Sequence, residues 1–414
     1  MPRPRQTLSI LLLLGLSAVT LARTLRWPND WAEAHWLLDY RFGFVKRGLL
    51  GQLLQWTLAP FGGEVGEGAI RAVSAAACVV FVALLGYTVW RVLRAAEFAP
   101  GAVAVAAAFV ASPFLVMTGH LVGYFDHVVF ALGITSIWLA LRRQPWIGAL
   151  LQAVALLAHE ACIVLIFPAF TLAVLLRNAR HDGGGAEGEP SRRLQLLPLR
   201  PLLPLLPPLI VAALMGRVVG STPPGFLEQY GAWLGSHDFL DPGFAQQVAF
   251  LLTWKLGDFV QVIWSQGGGR LMQASNFGLL LPVLTAILLL TFARSRSRPW
   301  SLETLLVVCV ALVPQAMHLV AFDLERIVTF SIFTAWLSLW VVAEHDGASV
   351  ARTPGPFGVA LLAVVAGVSM TTPLLDNELD RLAGLWRMVI AAAAVAALCA
   401  LHRTDHRITA RRAA

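Results

Sequence analysis

The stretch LLDYRFGFVKRGLL, residues 37–50, places one carboxylate and three basic side chains among aromatic residues and glycines. Basic side chains can hold the phosphate of a ligand while a nearby carboxylate takes a proton from a reacting hydroxyl group. Lys46 and Arg47 are therefore candidate phosphate ligands, with Arg41 beside them. Asp39 is the candidate general base.

A helical interpretation of this stretch leaves a second role open. Written as a helix, it puts Asp39, Gly43, Lys46 and Arg47 near one face and apolar residues on another, a pattern typical of a helix lying in the membrane interface. Asp39 and Lys46 would then lie about 10.5 Å apart along the axis, too far for a direct ion pair. In this interpretation the basic residues contact anionic lipid headgroups.

Ionisable residues also recur at the ends of later apolar runs, in GHLVGYFDH, LLAHEAC and MHLVAFDLER. A charge near the membrane centre costs about 2.5–3.5 kcal/mol on insertion scales, so charges placed toward the membrane interior indicate function. Charges at span ends are also ordinary interfacial caps, and that alternative stays open. The candidate substrate-binding residues in these stretches are Asp126, His159, Glu160, His318, Asp323 and Arg326.

The composition predicts an integral membrane protein that holds these residues in place. Hydrophobic residues make up 57% of the 414 residues and charged residues 13%, and apolar runs recur along the whole chain. The net charge of +7 would suggest nucleic acid in a soluble protein, but here the arginines gather at the ends of apolar runs. We therefore expect membrane lipids, and no nucleic acid, as partners.

The apolar runs predict an all-α polytopic bundle of about twelve spans. The spans are predicted at 7–23, 70–90, 101–118, 127–141, 145–158, 161–176, 205–220, 277–293, 302–319, 327–342, 357–371 and 383–401. An even number of spans puts both termini on one side. Most of the 31 lysines and arginines fall in the loops and tails of that side, which predicts a multi-pass plasma (inner) membrane protein with cytoplasmic termini. The first span is expected to be an uncleaved signal anchor.

The segment 145–176 tests this topology. As one helix its 32 residues would be about 48 Å long, against an apolar core of roughly 30 Å. Basic residues flank both ends, which demands an even number of crossings. We therefore predict two short helices that turn at LLAHEAC, with His159 and Glu160 at or below the extracytoplasmic surface.

The whole chain, 1–414, is predicted to form a single membrane domain with three long connections. The first extracytoplasmic loop, 24–69, carries the amphipathic helix described above. A cytoplasmic linker at 177–196 is rich in glycine and charge and is expected to be flexible. The fourth extracytoplasmic loop, 221–276, is rich in aromatic residues, and its stretch FAQQVAFLLTWKLGDFVQVIW is typical of an interfacial helix.

This layout resembles the GT-C superfamily of membrane glycosyltransferases, which have a many-spanning helical core and a long first outer loop with an essential acid. The resemblance implies transfer of a sugar from a polyprenyl-phosphate donor to a glycan, lipid or protein acceptor on the extracytoplasmic face. It implies that Asp39, or alternatively Asp30, activates the acceptor hydroxyl. Lys46 and Arg47 would stabilise the departing phosphate.

The resemblance also implies that the later polar stretches shape the sugar site. Asp126, His159, Glu160 and Arg326 would bind the sugar or a divalent cation, although no spacing here is diagnostic of a metal site, and the cofactor stays unknown. Two other functions remain open. One is a polymerase or ligase of lipid-linked glycans that uses arginine and histidine without an essential acid, and the other is a transporter or flippase.

Overall fold

The structure is a computed structural model that describes residues 4–181, 200–218, 224–265, 277–294, 302–321, 323–346, 389 and 392–400. The described part of the chain is all-helical and contains no strand. Its helices begin with α1 Pro4–Thr24, α2 Asp30–Trp36, α3 Gly48–Leu58, α4 Glu67–Ala95, α5 Pro100–Val110, α6 Pro113–His120, α7 Asp126–Leu141, α8 Pro145–Ala158, α9 Cys162–Leu165 and α10 Phe167–His181. They continue with α11 Leu206–Val218, α12 Phe226–Gly235, α13 Pro242–Thr253, α14 Leu256–Ser265, α15 Phe277–Arg294, α16 Leu302–Leu312, α17 Leu324–Asp346 and α18 at 392–400.

Five helical segments of the described residues are long and apolar enough to cross a membrane. They are Gln6–Thr24, Glu67–Ala95, Pro100–His120, Leu302–Leu319 and Arg326–His345. Shorter apolar helices, α7, α8, part of α10 and two later segments, accompany them. Many large apolar side chains of α1, α8 and α11 face outward, as expected for helices that lipid surrounds.

The predicted helix break at LLAHEAC is confirmed. Helix α8 ends at Ala158, His159 has an extended backbone, and the chain resumes as the short helix α9 at Cys162. The predicted span 101–118 is interrupted at Ser112, which separates α5 from α6. In the latter case a proline at the first position of α6 starts the new helix.

Two other helix predictions are wrong in detail. The stretch 37–47 forms turns and bends, so the amphipathic helix written through Asp39 and Lys46 does not exist, and α3 begins only at Gly48. Arg47 has a left-handed backbone, with φ of 66°, that no helix pattern reveals. The stretch 244–264 is two helices, α13 and α14, separated at Trp254 and Lys255.

Some predictions fall on residues that the structure does not describe. The predicted span 357–371 lies outside the described residues, as does 383–401 except for residue 389 and α18. Of the predicted linker 177–196, only 177–181 is described, and these residues complete α10.

Aromatic rings form the centre of the bundle between α5, α6, α7 and α17. Phe333 stacks on Phe114 with ring centroids 4.7 Å apart, and Trp336 stacks on Phe109 at 4.2 Å. The indole Nε1 of Trp336 donates a hydrogen bond to Thr88 of α4, 2.9 Å away. Stacked and edge-on aromatic pairs add about 0.5–1.5 kcal/mol each beyond their burial, so this centre is firmly packed.

The column of rings continues to the far end of α17. Trp340 of α17 contacts Tyr87 of α4 edge-on, with ring centroids 6.4 Å apart. Beyond it, Arg91 of α4 forms an ion pair with Glu344 of α17 at 2.5 Å. This pair joins the ends of two candidate spans.

Close backbone approaches fix the first loop on the bundle. The indole Nε1 of Trp36 donates to the carbonyl of Gly123 at 2.7 Å, which docks α2 on the loop between α6 and α7. Gly123 has φ of 97°, and a Cβ there would lie 2.7 Å from Pro28. Likewise a Cβ at Gly51 of α3 would lie 2.0 Å from the carbonyl oxygen of Leu38. These contacts bring α2, the start of α3 and the start of α7 together.

Candidate functional site

A cavity of about 1180 Å³ lies where the first loop, the break after α8, the start of α7 and the start of α17 meet. Four separate polar stretches of the sequence contribute to its lining. The charged or histidine side chains that line it are His35, Lys46, Arg47, Asp126, His159, Glu160, Lys255, Asp323 and Arg326. The convergence that the topology predicted is therefore present for Lys46, Arg47, Asp126, His159, Glu160, Asp323 and Arg326.

Lys46 is the buried lysine of this set, and the described residues show no carboxylate partner for it. The residue is only 8% exposed, its ammonium lies 5.1 Å from the ring centroid of Phe259, and it has no hydrogen-bond acceptor among the described residues. Burial lowers the pKa of Lys46 to about 8, against the opposing effect of the Glu160 charge. An ammonium that lines a cavity, on a largely buried side chain and without an acceptor, can bind an anion there.

Arg47, by contrast, is already paired. Its Nε donates to Glu160 Oε2 at 3.0 Å and its Nη2 donates to Glu160 Oε1 at 2.5 Å. Burial raises the pKa of Glu160, but the Arg47 charge outweighs this effect and holds the pKa well below its usual range. Its Nη1 also lies 3.1 Å from His35 Nε2, so two of the five N–H groups of Arg47 remain for a ligand, yet its charge is neutralised.

Two neutral histidines complete this side of the cavity. Burial, assisted by the Arg47 charge, lowers the pKa of His35 to about 3 and the pKa of His159 to about 4. His159 Nδ1 accepts a hydrogen bond from the backbone N–H of Ala161 at 3.1 Å, so its proton is on Nε2. His159 therefore offers a hydrogen-bond donor and no charge at neutral pH.

The opposite side carries a second ion-pair group. Arg326 of α17 pairs with Asp126 at the first turn of α7, and its Nη1 donates to Asp323 Oδ2 at 3.2 Å. The Asp126 side chain is 4% exposed and the Arg326 side chain 14%, whereas 65% of the Asp323 side chain is exposed. The Arg326 guanidinium also lies 5.1 Å from the Tyr124 ring centroid. Asp323 is thus the accessible carboxylate of the group.

The rest of the lining is mostly apolar. Met215 and Gly216 of α11 and Val248 and Leu251 of α13 form part of this wall. A Cβ built on Gly216 would meet nothing within 4 Å, so open space lies beside this glycine. The cavity therefore combines a charged end with an apolar wall, the combination that suits an amphiphilic ligand.

Asp39 and Arg41 do not appear among the described residues that line the cavity. They pair with each other: Arg41 Nε donates to Asp39 Oδ2 at 2.7 Å, and the Arg41 backbone N–H donates to Asp39 Oδ1 at 3.0 Å. The Arg41 guanidinium lies 4.1 Å from the Trp233 ring centroid of α12. These contacts attach the first loop to α12.

Asp30 and His318 also make contacts outside the described lining of the cavity. Asp30 Oδ2 accepts a hydrogen bond from the backbone of Asp241 at 3.2 Å, before α13. His318 Nε2 lies 3.0 Å from Gln315 Oε1, and Gln315 Nε2 donates to Ser331 of α17 at 2.6 Å. The predicted catalytic role of Asp30 and the substrate-binding role of His318 stay predictions with no cavity contact in their support.

Comparisons with protein-family models, with curated proteins and with solved structures found no match. The resemblance to GT-C enzymes stays a prediction. Within the described residues, no group of three or more histidine, cysteine, aspartate or glutamate side chains is placed to share a metal ion.

Sequence patterns did not single out His35, Tyr124 or Lys255 as site residues. His35 and Tyr124 enter the cavity because α2 docks against the loop before α7, a tertiary contact without a sequence signature. One signal could have raised the priority of two positions: the whole sequence contains only two lysines, Lys46 and Lys255, and both line the cavity.

Proposed function

We propose that the protein is a membrane glycosyltransferase that takes a sugar from a polyprenyl-phosphate carrier and transfers it to an acceptor hydroxyl on the extracytoplasmic face. The observation that carries this proposal is Lys46, a residue only 8% exposed that lines the cavity and has no hydrogen-bond acceptor for its ammonium among the described residues. An anion bound there would form a charge-assisted hydrogen bond and compensate the buried charge.

The size and lining of the cavity support a phosphorylated lipid as the source of this anion. At about 1180 Å³ it exceeds the volume that a free phosphate would fill. Pockets for small molecules usually measure roughly 300–1,000 Å³. The apolar wall of α11 and α13 supports a hydrocarbon chain, and the charged end supports the phosphate and sugar.

The chemistry requires one proton acceptor. The acceptor oxygen attacks the anomeric carbon, the bond from that carbon to the phosphate oxygen breaks, and the electron pair leaves with the phosphate. Asp323 would take the hydroxyl proton, because its side chain is exposed at the cavity and only one of its oxygens accepts a hydrogen bond from Arg326. Glu160 is a weaker candidate base because Arg47 holds its pKa so low. Lys46 would stabilise the departing phosphate.

A transfer assay with two matched aspartate variants tests the proposal. The purified protein in proteoliposomes receives a panel of radiolabelled polyprenyl-phosphate sugars and membrane acceptors. Asp323→Asn is expected to lower the rate by roughly 10²- to 10⁴-fold, the usual contribution of a general base. Asp39→Asn should retain most of the activity in monodisperse protein, because Asp39 pairs with Arg41 and does not line the cavity.

Each alternative result has a defined meaning. Loss of transfer in Asp39→Asn alone would contradict the role of Asp323 and restore the assignment made from the sequence. Full activity in both variants would favour a polymerase or ligase without an essential acid. Uptake of the lipid or sugar with no product in the wild-type protein would overturn the enzyme proposal and favour a carrier.

The apolar wall gives a separate prediction. Gly216→Leu should weaken binding of a polyprenyl monophosphate at least about fivefold, because Gly216 lines the cavity and the larger side chain would compete with the proposed hydrocarbon chain. Leucine also favours a helix over glycine by roughly 1 kcal/mol, so folding should not suffer. Affinity is measured in detergent micelles by native mass spectrometry.

The control for this experiment is Gly86→Leu in α4. A Cβ at Gly86 also meets nothing within 4 Å, and Gly86 does not belong to the described cavity lining. Equal affinity in the two variants would contradict a lipid tail against α11.

A further inference from the structure

The orientation of His35 is fixed by two hydrogen bonds. Its Nδ1 lies 2.5 Å from the carbonyl oxygen of Trp31, one turn earlier in α2, which is an acceptor only. The proton must therefore be on Nδ1, which leaves a lone pair on Nε2. Arg47 Nη1 lies 3.1 Å from this Nε2 and donates to it.

The opposite edge of the same guanidinium holds Glu160. Arg47 therefore lies between a neutral imidazole on one side and a carboxylate on the other. Its left-handed backbone, costly for a residue with a side chain, is maintained by these surroundings. The other charged and titratable groups around this cluster are Lys46, His159 and Tyr124, whose ring centroid lies 6.5 Å from that of His35.

Glu160 has two basic neighbours, Arg47 and Lys46. Which of them it pairs with determines whether the Lys46 ammonium is paired or free. The Glu160 charge acts on Lys46, yet both carboxylate oxygens accept hydrogen bonds from Arg47. If Arg47 moved away, Glu160 would be free to pair with Lys46 and occupy its ammonium. An anionic ligand would then have to compete with a resident carboxylate.

We propose that His35 is a positioning residue, whose neutral ring holds Arg47 on Glu160 and thereby keeps Lys46 free for the phosphate of the ligand. The assignment of that ligand rests on the proposed function, but the arrangement of the four side chains does not. His35 must stay neutral in this role, since a protonated ring would place a second cation 3.1 Å from Arg47.

Chemical labelling of lysine tests this role without any lipid or sugar. Lys46 and Lys255 are the two lysines in the chain, so acetylation followed by mass spectrometry reports Lys46 directly, with the exposed Lys255 as an internal reference. In His35→Leu, pairing with Glu160 should raise the Lys46 pKa, and labelling of Lys46 near pH 8 should slow about tenfold. His35→Gln should label like the native protein, because its amide oxygen can accept from Arg47.

His237→Leu is the matched control. His237 makes the same contact as His35, from Nδ1 to the carbonyl of a tryptophan four residues earlier, Trp233, at 2.9 Å. It does not belong to the described lining of the cavity, so its loss should leave Lys46 labelling unchanged.

A second background separates positioning from a general loss of structure. In Glu160→Gln protein the competing carboxylate is absent, so adding His35→Leu should no longer slow Lys46 labelling. Native-like labelling in His35→Leu, or equal slowing with and without Glu160, would overturn the positioning role.

Lipid is then added to test the ligand separately. A polyprenyl monophosphate should protect Lys46 from acetylation in the native protein. If His35→Leu slows labelling but the lipid gives no protection, the positioning role stands and the proposed function fails.

Discussion

Replacing Lys46 by methionine is expected to weaken binding of a polyprenyl monophosphate by roughly 10- to 100-fold, because a hydrogen bond to a charged group contributes about 1.5–3 kcal/mol. Methionine keeps most of the length of the side chain and can still pack against Phe259. The loss should therefore come from the missing charge. A titration in detergent micelles, followed by native mass spectrometry, measures it.

Lys255→Met is the control, because Lys255 also lines the cavity but is exposed to solvent. It should change the affinity less than about threefold, within the range of an exposed charge pair. Equal losses in the two variants would contradict a specific role for the buried ammonium and would favour a general attraction of basic residues to anionic lipid.

The pH dependence of polyprenyl monophosphate binding tests whether the positive charge of Lys46 holds the ligand. With a pKa near 8, Lys46 is mostly protonated below pH 8 and loses its charge above it, so affinity should fall as pH rises from 7 to 9.5. The phosphate itself is already ionised throughout this range, since its second pKa is about 6. Lys46→Arg should remove the decline, because arginine keeps its charge.

Arg326→Met is expected to destabilise the protein by about 3–5 kcal/mol, the usual cost of leaving a buried charge without its partner. The buried charge left without a partner is that of Asp126, whose side chain is 4% exposed and pairs with Arg326. Because Asp126 starts α7 and Arg326 lies near the start of α17, the damage should extend to the charged end of the cavity. Unfolding of the purified protein in detergent, monitored by denaturant titration, gives the free energy.

The double variant Arg326→Met with Asp126→Leu separates the unpaired charge from lost packing. Since it removes both charges, it should recover most of the lost free energy of unfolding. A double variant as unstable as Arg326→Met alone would show that the methionine fails to pack, and the ion pair would then not be the cause.

Sequence patterns predicted the local features of this fold that depend on length and charge. The break at His159 followed from a helix too long for the membrane and from basic residues on both flanks. The same topology placed Lys46, Glu160 and Asp323 on one side, and all three line the cavity. Periodicity and charge were sufficient here because both act over a few helical turns.

Sequence patterns did not predict the ion pairs that side chains form across turns and between distant segments. The pairing of Asp39 with Arg41 depends on the turn at 39–43. A helical wheel drawn through Lys46 does not show this pairing. The pairing of Arg47 with Glu160 joins residues 113 positions apart through a left-handed backbone at Arg47. Such contacts depend on tertiary docking, so residue type alone did not separate Asp39, which pairs with Arg41, from the residues that line the cavity, and it did not identify His35.

The aromatic column has a consequence for passage through the protein. Phe330 forms part of the cavity wall, and from it the rings of Phe333, Trp336 and Trp340 follow α17 for about 15 Å before the Arg91 and Glu344 pair. Within the described residues, a hydrophilic solute moving along α17 from the cavity toward the Arg91 and Glu344 pair would have to separate these rings one layer after another. This aromatic packing therefore closes the route along α17 to hydrophilic solutes.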